Sequence, residues 1–502
     1  MQMQAKRFLL FLLSIFLLIS GLSACSNATA RVQATTSPTT PGLTEGGPCV
    51  QPRVQPPYTN VQVSHDIFLA HSEPMLVEDP QNPLHLIGGS KFFTDPTHYR
   101  FQIGYFSSFD GGCTWKDGGV LPGFTKSSLT SDISFAFGPQ GETYAAVLYE
   151  SGSESGIAIS KSTDGGKTFA PPTKVFATQG DQIFNDKPWI AVDQTQGPHR
   201  GNIYVVWSYD HGGLCAHGVN FCQTELAFSR SMDAGQTFSP LQLIEGNAPF
   251  CTNPATGRAP NSTTCDGAQG AIPVVEPDGT LAVAFPYIDV MEGPNPTRLL
   301  LTTSRDGGLT WTTPVLIATI HDILGTFPPD RYRNLSLPAF AGDPKSGQLY
   351  LTWSDKGPRD ADILFVTSRD QGKTWSNPLR VNDDSLQNGA NQFQPQMVVA
   401  PNGVISISFF DTRLDPQHRL IDVYLAQSND HGISFLKNVR VTTQSWDPSV
   451  DAPIDEYGQQ FIGDYQGLAA DNLFVHPFWN DTRTGRQEIF TAAISGAQPH
   501  AG

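Results

Sequence analysis

Ser304-Arg305-Asp306-Gly307-Gly308-Leu309-Thr310-Trp311 is one of six copies of a single pattern: Ser, any residue, Asp, any residue, Gly, any residue, Thr or Ser, then Trp or Phe. The others run Ser108–Trp115, Ser162–Phe169, Ser231–Phe238, Ser368–Trp375 and Ser428–Phe435. A short acid can accept backbone N–H groups inside a tight turn. The glycine two residues later can take φ > 0 without a Cβ clash. Hydroxyl side chains can tie the turn to its own backbone, and the closing aromatic is large enough to anchor it in an apolar layer. Each copy therefore predicts a rigid hairpin turn between two strands.

The six aspartates, Asp110, Asp164, Asp233, Asp306, Asp370 and Asp430, follow one another at intervals of 54, 69, 73, 64 and 60 residues. A period of this size without helical patterning predicts the blades of an all-β propeller. Around the fifth copy, residues 337–341, 348–353 and 363–368 read as inner, second and third strands, and the outer strand follows Trp375. Near-continuous apolar runs suit strands buried between neighbouring blades. Inner and second strands recur seven times, the last from Gln466 without a turn motif of its own. The expectation is seven four-stranded blades, six being the alternative, with the stretch Asn60 to Ser64 supplying the missing outer strand of the last unit. Such closure removes an exposed sheet edge. The propeller spans 58–496 and a short tail 497–502, with an insertion at 246–269.

Charged residues make up only 16% of the 502, against 47 Gly and 39 Pro, a composition of short strands and turns. The formal net charge is -16, which argues against nucleic acid as a partner. At the N-terminus, Lys6 and Arg7 precede the apolar run Phe8 to Leu18 and then Leu22-Ser23-Ala24-Cys25. This is a signal peptide over 1–24, too short to span a membrane comfortably. Leu-Ser-Ala-Cys resembles the bacterial lipobox, which implies cleavage before Cys25 and lipid attachment to it. Residues 25–57, rich in Ser, Thr and Pro, read as a flexible tether. An exported, cell-surface or membrane-anchored monomer follows as the expectation. The six remaining cysteines suggest three disulfides. Short separations favour Cys215 with Cys222 and Cys251 with Cys265, leaving Cys49 with Cys113. No spacing resembles a zinc site, and nothing in the chain asks for a cofactor.

The six-fold pattern resembles the Asp-box of the sialidase and BNR-repeat propellers, over roughly residues 60 to 495. In a four-stranded blade the box is a third–fourth loop. The second–third loops and the blade-to-blade connections share the opposite face, where binding sites sit over a rigid scaffold. Acids that end the second strands (Glu150, Asp210, Asp289, Asp355, Asp411 and Asp481) recur in nearly every blade, and we read them as turn acids. Residues that break the repeat are better candidates for chemistry. They are Arg413 and Arg483 beside their own acids, Arg331 and Arg333 ahead of blade five, Lys187 in Asp186-Lys187-Pro188-Trp189, and Asp464 with Tyr465 ahead of blade seven. Arginine forks suit a carboxylate, although an ion pair with the nearby acid is the bland reading for Arg413 and Arg483.

The sialidase family uses an arginine triad for the sugar carboxylate, a tyrosine nucleophile assisted by a glutamate, and an aspartate acid/base. Tyr465 stands where the family places its tyrosine. The resemblance implies Arg331, Arg333, Arg413, Arg483 and Lys187 around an acidic sugar, Asp464 or Glu456 assisting Tyr465, and Asp95 near the acid/base position. The family's Arg-Ile-Pro signature has no counterpart ahead of the first blade. Two functions follow as expectations: an exo-glycosidase releasing terminal acidic sugars such as sialic acid from glycans, or a non-catalytic propeller that binds glycan or protein at the cell surface.

Overall fold

The computed structural model describes residues 56–499, apart from 181, 213–220, 247, 249–250, 252–264, 266, 288–296, 324, 327–331 and 359. Arg331, Asp289, Cys25, Cys49 and Cys215 lie outside the described residues, and of Cys222 only the backbone is described. Seven antiparallel blade sheets follow one another along the chain, with a two-stranded pair of Gly325–Thr326 and Arg333–Asn334 between blades four and five in sequence, and none of the described residues is α-helical. Blade one is Ala70–Asp79, Asn82–Asp95, Arg100–Ser108 and Lys116–Val120. Blade two is Leu129–Phe137, Thr143–Ser151, Glu154–Ser162 and Thr173–Gln179, and blade three Ile183–Val192, Ile203–Gly212, Phe221–Ser231 and Gln242–Leu243. Blade four is Ile272–Val275, Leu281–Tyr287, Thr297–Ser304 and Val315–Ile320. Blade five is Ala339–Gly342, Leu349–Lys356, Ala361–Ser368 and Leu379–Arg380, and blade six Gln392–Val399, Ile405–Asp411, Asp422–Ser428 and Val439–Arg440. Blade seven takes Gly467–Ala470, Phe474–Asp481 and Glu488–Thr491 from the end of the chain and Val61–Gln62 from its start. The seven-bladed propeller with N-terminal closure is the fold that the repeat implied.

All six boxes form the same turn. In the fourth, Gly308 N–H donates to Ser304 Oγ at 2.8 Å, and Ser304 Oγ–H donates to Asp306 Oδ1 at 2.8 Å. Asp306 Oδ1 also accepts from Thr310 N–H at 2.9 Å, and Oδ2 accepts the Thr310 hydroxyl. The closing aromatic packs on the preceding blade: Trp311 on Phe228 at 5.0 Å, Phe169 on Tyr105 at 4.8 Å, Phe435 on Phe365 at 5.1 Å and Trp115 on Phe478 at 5.5 Å. Each box thus staples its blade to the one before it, and box one reaches back to blade seven around the ring.

Closure repeats a module from blade six. Asn438 Nδ2–H donates to Val381 O at 3.1 Å, while its Oδ1 accepts Asp383 N–H at 3.0 Å. Asn60 does the same with Val441 O and Thr443 N–H, both at 2.9 Å. Thr442 Oγ1–H donates to Asp422, and Ser64 Oγ–H donates to Glu488. Residues 60–64 thus stand where 438–442 stand one blade earlier. Across the seam, the buried His71 of blade one lies 3.0 Å from Asp66 and 3.3 Å from Glu488. In the insertion Cys251 is bonded to Cys265, the pairing expected from their short separation. Cys113 is disulfide-bonded as well, and its expected partner Cys49 is outside the described residues.

Candidate functional site

The first strand of every blade runs down the central axis from the face opposite the boxes. Near that mouth, four of these strands carry a non-glycine residue at positive φ: Glu73 (53°), Asp132 (53°), Lys187 (48°) and Gln394 (48°). Pairing with the second strand slips at each, between Ser72 and Met75, Ser131 and Ser134, Asp186 and Trp189, and Phe393 and Gln396. These are bulges, and a bulge re-aims a side chain. Left-handed conformations of this kind cost of order 1–3 kcal/mol each and persist where the surroundings enforce them, often at functional sites. Proline follows three of the four, Pro74, Pro188 and Pro395, at positions where a central strand would not tolerate it.

The re-aimed side chains meet in a buried charge network. Lys187 Nζ lies 3.2 Å from Asp464 Oδ2 and 3.6 Å from Asp132 Oδ1. Arg333 grips Asp464 with two parallel bonds, Nε–H to Oδ1 at 3.2 Å and Nη2–H to Oδ2 at 2.8 Å. Lys91, from the second strand of blade one, pairs with Glu73 at 2.6 Å, and its ammonium sits 4.6 Å from the Phe101 ring centre and 4.8 Å from that of Phe461. Tyr465 Oη–H donates to Asp132 Oδ1 at 3.3 Å. Below this layer the axis narrows to a cavity of about 30 Å³ bordered by Asp132, Lys187, Trp189, Gln396, Asp464 and Tyr465, room for about two water molecules.

Electrostatics in this layer follow from burial and from the partners. Burial raises the Tyr465 phenol well above its ordinary value, and the neighbouring Asp132, Glu73 and Asp464 charges raise it further. Burial opposes ionisation of Asp464, but Arg333 and Lys187 outweigh it and hold the carboxyl well below the usual range. Asp132 is also lowered, since Lys187 and Lys91 overcome its desolvation. Burial pushes Glu73 up to about 7 despite Lys91, and Asp186 up to about 6 with help from Asp132. Every cation in the layer already faces a carboxylate, so the network is self-neutralising, and removing a single member would strand a buried charge.

The remaining candidates lie elsewhere. Arg413 donates from Nε to Asp411 Oδ2 at 2.7 Å and from Nη1 to Asp383 Oδ1 at 2.5 Å, stacked 4.3 Å over Tyr424. Arg483 is bonded to Asp481, and its Nη1–H groups donate to Asn60 Oδ1 at 2.8 Å and Thr443 Oγ1 at 3.0 Å. Both arginines thus serve the same inter-strand module in consecutive blades. Asp95 ends the second strand of blade one, where it accepts from Thr97 Oγ1–H at 2.7 Å and contacts His98 Nδ1 at 2.7 Å. The Thr97 hydrogen bond lowers its carboxyl below the ordinary value. Glu456 is 3.9 Å from Arg333. The structure therefore brings Tyr465, Asp464, Lys187 and Arg333 together and keeps Arg413, Arg483 and Asp95 apart from one another in their own loops. Glu73, Lys91 and Asp132 join the axial group without having been singled out in the sequence, and Trp189 joins it from the quoted stretch Asp186-Lys187-Pro188-Trp189. The one local signal was the Glu73-Pro74 pair, which the structure places inside the inner strand Ala70–Asp79.

No family model matches the chain, and no curated protein matches it. Among solved structures, a protein of unknown function from Dyadobacter fermentans is similar at 14% identity over 87% of this chain and 98% of its own, with a TM-score of 0.48. A Hadza microbial sialidase is similar at 15% identity over 82% of this chain and 73% of its own, TM-score 0.42. An α-L-arabinanase from Penicillium chrysogenum is similar at 12% over 70% and 93%, TM-score 0.44. At these identities the likeness concerns the fold alone.

Proposed function

We propose that this protein is an exported propeller, anchored through an acylated Cys25, that binds a glycan at the axial mouth and does not cleave it by an arginine-triad route. The observation that carries the reading is the commitment of the arginines. Arg413 and Arg483 are spent in separate loop modules, and Arg333 holds Asp464. The Asp-box resemblance supports glycan as the ligand class, and the strained, polar residues around Tyr465 and Trp189 support the axis as the place. Calorimetry with sialylated, uronate-bearing and neutral oligosaccharides tests it. Binding of at least one class should weaken about tenfold or more in Tyr465→Ala, the loss of one buried contact of roughly 1.4 kcal/mol. A fluorogenic sialoside should give no turnover. Turnover by the wild type that disappears in Tyr465→Phe would overturn the proposal. Metabolic palmitate labelling that persists in Cys25→Ser would remove the anchor.

A second reading is favoured by one contact. Tyr465 donates to Asp132 at 3.3 Å, an arrangement in which Asp132 could accept the phenol proton and leave an oxygen nucleophile, a known exception among glycosidases. In that case Asp132 takes the assisting role expected of Asp464 or Glu456, and the substrate is a terminal acidic sugar.

A further inference from the structure

We infer that the hairpin at residues 454–460 is a gate over the axial site, and that ligand reaches Tyr465 and Trp189 only when it lifts. The inference rests on the axial mouth being the binding site and adds how access to it is regulated. Between Arg440 and Gly467 run 26 residues that hold no strand. Connections of that length are uncommon in compact domains and usually functional. The root of this one is buried, Trp446 packing on Phe410 at 5.5 Å and Phe461 on Tyr99 at 5.3 Å. Its tip is a tight turn in which Asp455 N–H donates to Gln459 O at 2.9 Å and Gly458 N–H to Asp455 O at 3.0 Å.

The turn lies on the charge layer: Arg333 Nη1 stands between it and the axis, 3.8 Å from Asp455 Oδ2 and 3.9 Å from Glu456 Oε1, while Nη2–H of the same arginine holds Asp464 Oδ2 at 2.8 Å, and the other side of the hairpin base rests on Pro96 of blade one. Below that layer the cavity of about 30 Å³, bordered by Asp464 and Tyr465 and by no residue of the hairpin, is an order of magnitude smaller than the ~300 Å³ at which ligand pockets begin. No sugar ring enters without a displacement.

The hairpin is also lightly fastened. Among the described residues, two backbone hydrogen bonds hold its base, Ile454 N–H to Pro96 O at 3.1 Å and Arg333 N–H to Gln460 O at 3.0 Å. The Arg333 Nη1 edge stands 3.8 Å from Asp455 Oδ2 and 3.9 Å from Glu456 Oε1, attracted but too far for hydrogen bonds. Asp455 Oδ2 is buried with no hydrogen-bond partner among the described residues, and Tyr457 at the tip is 70% exposed. By contrast, the wall residue Asp464 is held at 2.8 Å by the same arginine. The contrast divides a fixed wall from a movable cover. Segments that move in binding are drawn from the weakly bonded end of a structure.

Acrylamide quenching of Trp189, taken as wild type minus Trp189→Phe, reads the gate without any ligand. Two full-length variants bracket it: residues 455–459 replaced by Gly-Gly, and Pro96→Cys with Ile454→Cys oxidised to lock the base. The shortened hairpin should raise the Trp189 quenching constant about threefold or more, and the lock should lower it below wild type, as expected when access tracks local opening. Equal constants in wild type and both variants would overturn the gate. If the constants differ as expected and no oligosaccharide binds any form, the gate stands and the glycan reading falls.

Discussion

The box glycine shows how one residue can answer to two demands. The residue just before it also has positive φ in every copy, yet it is Ala234, Gln371 and His431 in three of them. Backbone conformation alone therefore does not demand glycine in this turn. The next position is always glycine, and in four copies, Gly166, Gly308, Gly372 and Gly432, a Cβ there would strike the preceding blade, whereas at Gly112 and Gly235 the nearest atoms lie 3.3 and 3.4 Å away. At Gly308 the Cβ would lie 2.3 Å from the tip of the Phe228 ring, itself held by Trp311 at 5.0 Å and Tyr204 at 6.2 Å. Gly279 has φ of 87° and open space around it, so Gly279→Ala carries only backbone strain, about 1–2 kcal/mol. Gly308→Ala should cost about 1–3 kcal/mol more from overpacking. Urea melts of the two variants compare these costs, and equal losses would show that conformation alone selects the glycine. At the axis, Lys187→Met should cost about 3–5 kcal/mol because Asp132 and Asp464 lose a buried counter-charge. The exposed ion pair of Lys174 with Glu154 predicts under ~1 kcal/mol for Lys174→Met. The same melts decide between them, and a small loss at Lys187 would mean that water reaches the network.

Strands and turns differed in how plainly they could be read. A third–fourth turn needs an acid, two hydroxyls, a glycine and an aromatic at set spacing, so six blades announced themselves. The seventh had to be inferred from strand count, and its outer strand from chain left over at the start. A stronger signal was present: Asn60-Val61-Gln62-Val63-Ser64 matches Asn438-Val439-Arg440-Val441-Thr442 at three positions and keeps a hydroxyl at the fifth. That match has a consequence. Asn60→Ala should cost about 1 kcal/mol, the loss of half-buried hydrogen bonds, and Asn438→Ala, at the buried copy of the module, about 1–3 kcal/mol. Thermal melts of the two variants make the comparison. A silent Asn60→Ala would mean that the N-terminal strand lies on blade seven without closing it. The axial group was only half visible for the opposite reason. Lys187 and Tyr465 interrupt the repeat, whereas Glu73, Lys91 and Asp132 come from ordinary-looking strands. Their convergence depends on bulges, which no fixed residue spacing encodes.

Across the whole ring, opposed titrations set where the propeller is most stable. The box acids Asp164 and Asp233 are lowered to about 2, Asp164 by hydrogen bonds that overcome partial desolvation and Asp233 chiefly by the Thr237 hydroxyl. A depressed carboxyl gives stability that is present above its unfolded value near 3.8 and lost as pH falls through the folded one. Asp464 and Asp132 at the axis act in the same direction. Glu73 at about 7, Asp210 at about 7 and Asp186 at about 6 are raised, burial being the first cause in each. Their neutral forms suit the fold, so stability declines as pH climbs from about 4 through 7. His71 adds a later step. Burial opposes its imidazolium, but Asp66 and Glu488 outweigh that and raise it from 6.5 to about 9. Its contribution, on the order of 3 kcal/mol, is complete below pH 6.5 and is lost as pH rises through 9. The seam between blades seven and one should therefore loosen first in alkali. Melting temperature should peak near pH 4–5 and fall steadily to pH 10, and the part of that fall above pH 7 should flatten in His71→Gln. A wild-type plateau from pH 6 to 9 would show that neither the axial carboxyls nor the seam histidine is as dry as the packing makes it.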